Sequence, residues 1–307
     1  MTLVIAACTH RKRKPVSGSL QVAALPKANL RDLAQQWVRR LALEPVRYAG
    51  EEIYGGRSFR EAAIAAKLFD AKLVVVSAGL GLIEISTLVP AYACTVLPKA
   101  PDSVQSRVTG DFSVSRWWEA LCEASPFAIE MKSAVRDSSG PICAALSETY
   151  IELIAADLLA LPEPSLGRLR LFTRAPLGRI PEDLRPFVMP YDDRLDGPNS
   201  SYRGTRSDFA GRALRHYAEL TRRKPQGRSA SEDAALVATA LEGWRMPAKV
   251  RRTRLDDAAL LDLIRAHWNA ERGSSSRLLR RIRDDLGVAC EQHRFAKLAR
   301  VVRSEYA

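Results

Sequence analysis

The chain has 307 residues, 47% of them hydrophobic and 27% charged, and a formal net charge of +12. This content suits one large hydrophobic core plus a smaller appendage. No apolar run reaches the roughly 18 to 20 residues that span a bilayer, and the first basic run follows the apolar segment rather than preceding it, so we expect a cytoplasmic protein with no membrane partner.

The charge is unevenly distributed. Residues 222–307 carry 19 Lys and Arg against 11 Asp and Glu, a net charge of +8. The excess favours an anionic partner, most simply nucleic acid, bound through the carboxyl-terminal part. The five cysteines form no CxxC pair, so we expect neither a metal site nor a cofactor, and no disulfide framework.

The first predicted elements are a buried strand over residues 2–7 and a helix over residues 29–43. The strand ends in Cys8 and Thr9. A thiol and a hydroxyl at the carboxyl end of a strand suit a ligand site, and Cys8 is a candidate nucleophile. A thiol in this position is also common as a small apolar side chain.

A glycine turn and a second helix follow over residues 54–69. We expect the start of this helix to be exposed, with Tyr54 and Arg57 available to an anion at the helix amino terminus. An ordinary surface arginine at position 57 is an equal alternative.

The most informative stretch runs from Lys72 to Thr95. An uninterrupted apolar block indicates a strand covered on both faces, as in a parallel α/β sheet. Ser77, Gly79 and Gly81 follow this block. We expect a site here, because the two glycines would let the backbone approach a ligand closely. An ordinary tight turn after the strand is the alternative. We expect Tyr92 to return toward the same edge. Tyr92 and Ser77 are both candidate proton donors.

The rest of the first domain alternates further helices and strands. We predict helices over residues 115–124 and 141–161, and strands over residues 168–174 and 187–190. The alternation indicates an α/β fold with a mostly parallel, doubly wound sheet.

A polar corner follows the last of these strands. Asp192 and Asp193 are candidate bases beside Arg194, because mutual repulsion raises the pKa of one carboxyl while a cation keeps the other ionised. Asp208 begins the next helix and is a candidate substrate ligand. The alternative is that these residues have only a structural role, as a turn rich in Asp and Gly followed by a helix cap.

We expect three domain segments: an α/β domain over residues 1–221, a linker over residues 222–250 and a basic, all-helical domain over residues 251–307. The last segment contains two short helices around a glycine turn, an arrangement typical of a helix-turn-helix in a DNA groove. A basic protein-docking module is the alternative. The candidate DNA-binding residues are Arg277, Arg280, Arg281, Gln292, His293 and Arg294.

Four motifs together resemble the YaaA-like superfamily: ACTHRKRK, YGGRSF, SAGLGLI and VPAYACT, at residues 7–14, 54–59, 77–83 and 89–95. Leu80 and Ala93 depart from the tyrosine and aspartate typical of that group. Its members include a DNA-binding peroxide-stress protein and proteins of 7-deazapurine modification, among them the DpdC-like component of a DNA-modification cluster.

The resemblance implies an enzyme that acts with other DNA-modification proteins and hydrates the nitrile of a 7-deazaguanine (preQ0-type) base in DNA to an amide. The alternatives are a non-enzymatic DNA-binding stress or defence protein and a nucleosidase or glycosylase-type hydrolase. The predicted catalytic residues are Asp192, Asp193, Ser77, Tyr92 and Cys8. The predicted substrate-binding residues are Thr9, Tyr54, Arg57, Gly79, Gly81, Thr95, Arg194 and Asp208.

Overall fold

A computed structural model describes residues 1–224, 227–248 and 251–306. Residues 225, 226, 249 and 250 of the predicted linker, and residue 307, lie outside the described residues. The chain divides into two compact units, Met1–Pro247 and Ala248–Ala307.

The strands of the first unit are short. In chain order they are β1 (Leu3–Ala7), β2 (Tyr48–Ala49), β3 (Lys72–Ser77), β4 (Gly81–Glu84), β5 (Leu88–Val89), β6 (Ile142–Ala145) and β7 (Leu169–Phe172). β2 and β5 form an antiparallel pair, and the other strands form one sheet.

The helices of the first unit range from one turn to about four turns. They are α1 (Leu30–Leu43), α2 (Gly50–Ile53), α3 (Arg57–Leu68), α4 (Val114–Ala124), α5 (Met131–Arg136), α6 (Glu148–Leu159), α7 (Glu163–Leu166), α8 (Phe209–Thr221) and α9 (Ala230–Leu241). Short 3-10 turns lie at Gly18–Leu20, Val22–Ala24, Val104–Ser106, Leu177–Arg179, Glu182–Phe187, Asp193–Asp196 and Arg206–Asp208.

The main sheet has the order β4-β3-β1-β6-β7. β1 pairs in parallel with β3 and β6, β6 pairs in parallel with β7, and β4 is antiparallel to β3. Nearly every residue of β1, β3, β6 and β7 is buried. Because neighbouring strand residues point to opposite faces, both faces are covered by helices. The predicted α/β class and mostly parallel sheet are therefore confirmed.

Helix α1 illustrates how local sequence sets an element. The Asn29 side chain accepts a hydrogen bond from the backbone N–H of Asp32 at 2.9 Å and caps the helix. Leu33, Trp37 and Leu41 recur at the spacing of one helix face, and all three are fully buried.

The prediction of one helix over residues 141–161 is wrong. Residues 142–145 form β6, an inner strand between β1 and β7, and α6 begins only at Glu148. A fully apolar block is compatible with a strand or with a helix. Here the pairing with β1 and β7 decides in favour of a strand. The strand expected over residues 187–190 is reduced to a single bridge between Leu171 and Val188.

The segment expected to be a linker instead contains α9, which belongs to the first unit. Its Asp233 is fully buried, and the carboxylate accepts from Arg170 Nε on β7 at 2.6 Å. Tyr217 Oη on α8 donates to the same carboxylate at 2.7 Å, and Arg228 Nε donates at 2.6 Å. This ion pair fixes α9 to the sheet edge.

The second unit consists mainly of α10 (Asp257–Trp268), α11 (Ser275–Asp284) and α12 (Gln292–Glu305). Its own core includes Leu260, Ile264, Leu278, Ile282 and Phe295. It is not entirely helical, because β8 (Thr253–Arg254) and β9 (Val288–Ala289) form a short parallel pair. No helix in either unit, within the described residues, has the length and apolar character needed to cross a membrane.

Candidate active site

A cavity of about 570 Å³ opens at the carboxyl ends of β1, β6 and β7. Parallel strands end at one edge of their sheet, so the segments that follow them meet there. The lining comes from the residues after these strands and from the starts of α3, α6 and α8. It includes residues 7–11, 56–58, 94–95, 97, 145–150, 173–176 and 206–210.

Cys8 and Tyr150 form the chemically most distinctive pair in this cavity. Cys8 Sγ lies 3.0 Å from Tyr150 Oη, and each residue is only 8% exposed. The backbone N–H of Cys8 donates to the Val76 carbonyl, which fixes the thiol just beyond β1. Burial and then the nearby Cys8 raise the pKa of Tyr150, so its hydroxyl stays protonated at neutral pH.

A chain of buried hydroxyls connects three of the predicted site residues. Tyr92 Oη lies 2.5 Å from Ser77 Oγ and 3.1 Å from Tyr54 Oη, and all three residues are fully buried. The prediction that Tyr92 returns to the end of β3 is confirmed, whereas the expected exposure of Tyr54 is wrong. None of the three lines the cavity, because this hydroxyl chain lies within the core.

The two glycines after β3 have packing roles. A Cβ on Gly79 would lie 2.6 Å from the Tyr92 ring, and Gly81 has a φ of +87° and faces Ala128. Neither glycine lines the cavity. The close approach that requires glycine is therefore made by Tyr92 and by Ala128 rather than by a ligand.

Arg57 and Asp208 line one wall and are held by further charges. Arg212, fully buried, donates through Nε to Asp208 Oδ1 at 2.6 Å. The Arg57 guanidinium lies 3.2 Å from the Glu61 carboxylate and 3.7 Å from that of Asp208. It also donates to the Arg203 carbonyl at 2.9 Å. The contact between Arg57 and Asp208 links the starts of α3 and α8 at this wall.

The polar corner at Asp192 does not supply a base to the cavity. Asp192 Oδ1 accepts from both the backbone N–H and Nε of Arg194 at 2.9 Å, and Arg194 donates to the Leu241 carbonyl. Asp193 instead pairs with Arg174 at 2.5 Å. The corner forms the 3-10 turn Asp193–Asp196, and neither Asp192 nor Asp193 lines the cavity, although Arg174, the partner of Asp193, does.

The structure thus brings together five of the predicted site residues: Cys8, Thr9, Arg57, Thr95 and Asp208. Sequence reasoning missed Tyr150 and Arg174, which also line the cavity. Tyr150 follows the end of β6 by only five residues. Dividing residues 141–161 into strand and helix would have placed it at the same edge as Cys8.

The predicted DNA-binding residues lie in the second unit. Arg277 and Arg281 both pair with Glu271, and Arg294 pairs with Asp257 at 2.6 Å. Arg280, Gln292 and His293 are exposed. Leu278 and Ile282 are buried on the opposite side of α11, as expected. Half of the predicted interface is therefore already engaged with carboxylates of its own unit.

Throughout the described ranges, no group of three or more His, Cys, Asp and Glu side chains is arranged to hold a metal ion. No family model matches the chain, and neither does any curated protein or any solved structure.

Proposed function

We propose that the protein is a YaaA-like DNA-modification enzyme that hydrates the nitrile of a 7-deazaguanine base in DNA to an amide. The observation that carries the proposal is the Cys8–Tyr150 pair, with its 3.0 Å contact, at the wall of the cavity. The volume of about 570 Å³ lies in the range of small-ligand sites and can accept a nucleotide.

The chemistry assigned to Cys8 is nucleophilic addition. Its sulfur bonds to the nitrile carbon, one π bond of the nitrile opens, and the thiol proton passes through Tyr150 Oη to the nitrogen. Water then adds to the thioimidate carbon and the carbon–sulfur bond breaks. The products are the amide and the free thiol, so the net reaction consumes one water and no oxidant or reductant.

The charges of the wall support an anionic substrate. Arg11, Arg57, Arg174 and Arg206 contribute positive charge to the lining, although Arg57 faces Glu61 and Asp208 and Arg174 pairs with Asp193. Only two of the lining residues carry carboxylates, Glu148 and Asp208. The Asp208 carboxylate is paired with Arg212. A base extruded from a duplex brings its backbone phosphates to the rim of such a site. The net charge of +8 over residues 222–307 supports DNA as the carrier of that base.

The experiment is a hydration assay on an oligonucleotide that carries 7-cyano-7-deazaguanine, in water enriched in oxygen-18, with the nucleosides analysed by mass spectrometry. We expect one heavy oxygen in the amide, and a loss of at least about a thousandfold in rate for Cys8→Ala. Cys122→Ala is the control, since Cys122 lies on α4 and outside the lining. An unchanged rate in Cys8→Ala would show that Cys8 is not the nucleophile.

The second candidate is a DNA-binding protein without catalysis. The separate basic unit favours it, because that unit folds around its own core. The same assay separates the candidates: salt-dependent binding with no amide supports the binding protein, and free base in the supernatant supports a nucleosidase or glycosylase.

A further inference from the structure

The outward side of α12 carries positive charge that the reaction above does not use. The opposite side of this helix packs into the core of the second unit through Phe295, Leu298, Ala299 and Val302. At 3.6 residues per turn, the side that faces away from these four carries His293, Lys297, Arg300 and Ser304, all of them exposed. We call these exposed residues the α12 ridge. It is about 16 Å long, at a rise of about 1.5 Å per residue.

The two cations of the ridge are not matched by carboxylates. From Gln292 to Ser304 the helix contains no Asp and no Glu. Arg300 Nε donates to the carbonyl of Ala296, one turn earlier in the same helix, at 3.2 Å. In the described part of the chain, neither Lys297 nor Arg300 takes part in an ion pair. Their charges therefore face solvent without a compensating anion.

Elsewhere in the second unit, carboxylates and arginines are paired. Arg252 lies 2.9 Å from Asp284, and Arg265 lies 2.7 Å from Glu305. The carboxylates that pair with arginines off the ridge are Asp257, Asp262, Glu271, Asp284 and Glu305. Because these acidic groups are already engaged, the excess positive charge of the unit lies partly on the ridge.

The composition of the ridge distinguishes among anionic partners. A helix that binds a membrane surface presents large apolar side chains on its binding face, and protein interfaces are anchored by large side chains in buried pockets. Proteins that hold single-stranded nucleic acid stack its bases on aromatic rings. The ridge has no large apolar side chain and no Phe, Tyr or Trp. A DNA duplex requires none of these, because its backbone carries one negative charge per roughly 1.7 Å of axis.

We propose that the α12 ridge binds the phosphate backbone of double-stranded DNA through Lys297 and Arg300. The inference deepens the proposed function, in which DNA carries the modified base, and it assigns the contact to two residues that the sequence did not predict. Contacts to phosphates carry no base information. Removal of either cation therefore weakens binding to the same extent on duplexes of different sequence.

The test measures binding of the full-length protein to fluorescently labelled, unmodified duplexes of two sequences by anisotropy, over a range of salt concentrations. Loss of one phosphate contact makes the slope of log K against log salt shallower by about 0.9. We expect this change for Lys297→Ala and for Arg300→Ala, and about twice this change for the double variant. At about 0.1 M salt, each single variant should bind about eightfold more weakly, the factor that this slope gives relative to 1 M salt.

A matched variant and a measurement on the unmodified protein serve as controls. Lys132 is an exposed lysine on α5 of the first unit, so Lys132→Ala removes the same charge away from the ridge and should leave the slope unchanged. Lys297→Arg keeps the charge and should keep the slope. Acetylation of lysines by an N-hydroxysuccinimide ester, quantified by mass spectrometry, needs no variant. Saturating duplex should protect Lys297 by at least about threefold and should not protect Lys132.

Several results would overturn the inference. These are an unchanged slope in the double variant, equal acetylation of Lys297 with and without duplex, and tighter binding to phosphatidylglycerol vesicles, polyglutamate or single-stranded DNA than to the duplex. Amide formation on nitrile-bearing DNA with an unchanged slope in the double variant would support the proposed function and overturn the inference. Shallower slopes in both single variants with no amide would support the inference and overturn the proposed function.

Discussion

Replacing Asp233 by alanine tests the ion pair that fixes α9 to the sheet. The carboxylate accepts hydrogen bonds from Arg170, Tyr217 and Arg228, at 2.6, 2.7 and 2.6 Å. Arg170 is only 1% exposed, so Asp233→Ala leaves its guanidinium buried without this anion.

Breaking a buried ion pair by removing one partner costs about 3–5 kcal/mol, because the remaining charge cannot return to water. In a unit of this size, each kcal/mol lowers the melting temperature by about 2–4 °C. We therefore expect Asp233→Ala to lower the melting temperature of the first unit by about 6–20 °C.

The assays are thermal unfolding, for the melting temperature, and urea unfolding, for the free energy. Both are followed by tryptophan fluorescence, which reports mainly on the first unit, since four of the five tryptophans belong to it. Glu232→Ala is the matched control. Glu232 is exposed and accepts from the Ser229 N–H at 2.7 Å in a helix cap, so its loss should cost about 1 kcal/mol or less. If Asp233→Ala unfolded within 1 kcal/mol of Glu232→Ala, α9 would not depend on this ion pair.

Two further predictions concern the same unit. Burial lowers the pKa of His216, and the charge of Glu219 opposes this shift. As the pH falls below about 6.5, the unfolded chain therefore binds a proton at this histidine before the folded chain does. The stability that is present at pH 7.5 is lost toward pH 5.5. His216→Gln should reduce that loss, measured as the difference between urea midpoints at the two pH values, and an unchanged difference would contradict the assignment. A Cβ on Gly211 of α8 would overlap the carbonyl oxygen of Ser58 on α3, so Gly211→Ala should cost about 1–3 kcal/mol in thermal unfolding. Gly178→Ala, with no atom within 4 Å of its added Cβ, should not, and equal costs would show that α3 and α8 can separate freely.

Much of the fold follows from the sequence pattern. The apolar blocks at residues 2–7 and 72–77 are strands, and the spacing of Leu33, Trp37 and Leu41 marks a helix face. The pattern fails at residues 142–145, where no glycine or proline separates strand from helix. Pairing with β1, some 140 residues earlier in the chain, and with β7 decides that block.

The candidate site was predictable where it depends on strand ends. Cys8 directly follows β1, so its position at the sheet edge needs only the strand itself. The placement of Asp193 needs its pairing with Arg174, which lies in another segment of the chain, and no local pattern specifies that pairing.

The position of β1 in the middle of the sheet affects how the chain folds during synthesis. Its residues 3–7 are synthesised before both partner strands, and one of these, residues 142–145, is made only about 140 residues later. Until then one hydrogen-bonding edge of an apolar strand is open, and such edges promote aggregation. Pairing with β6 closes this edge, so the time between synthesis of the two strands is the interval in which the nascent chain exposes it.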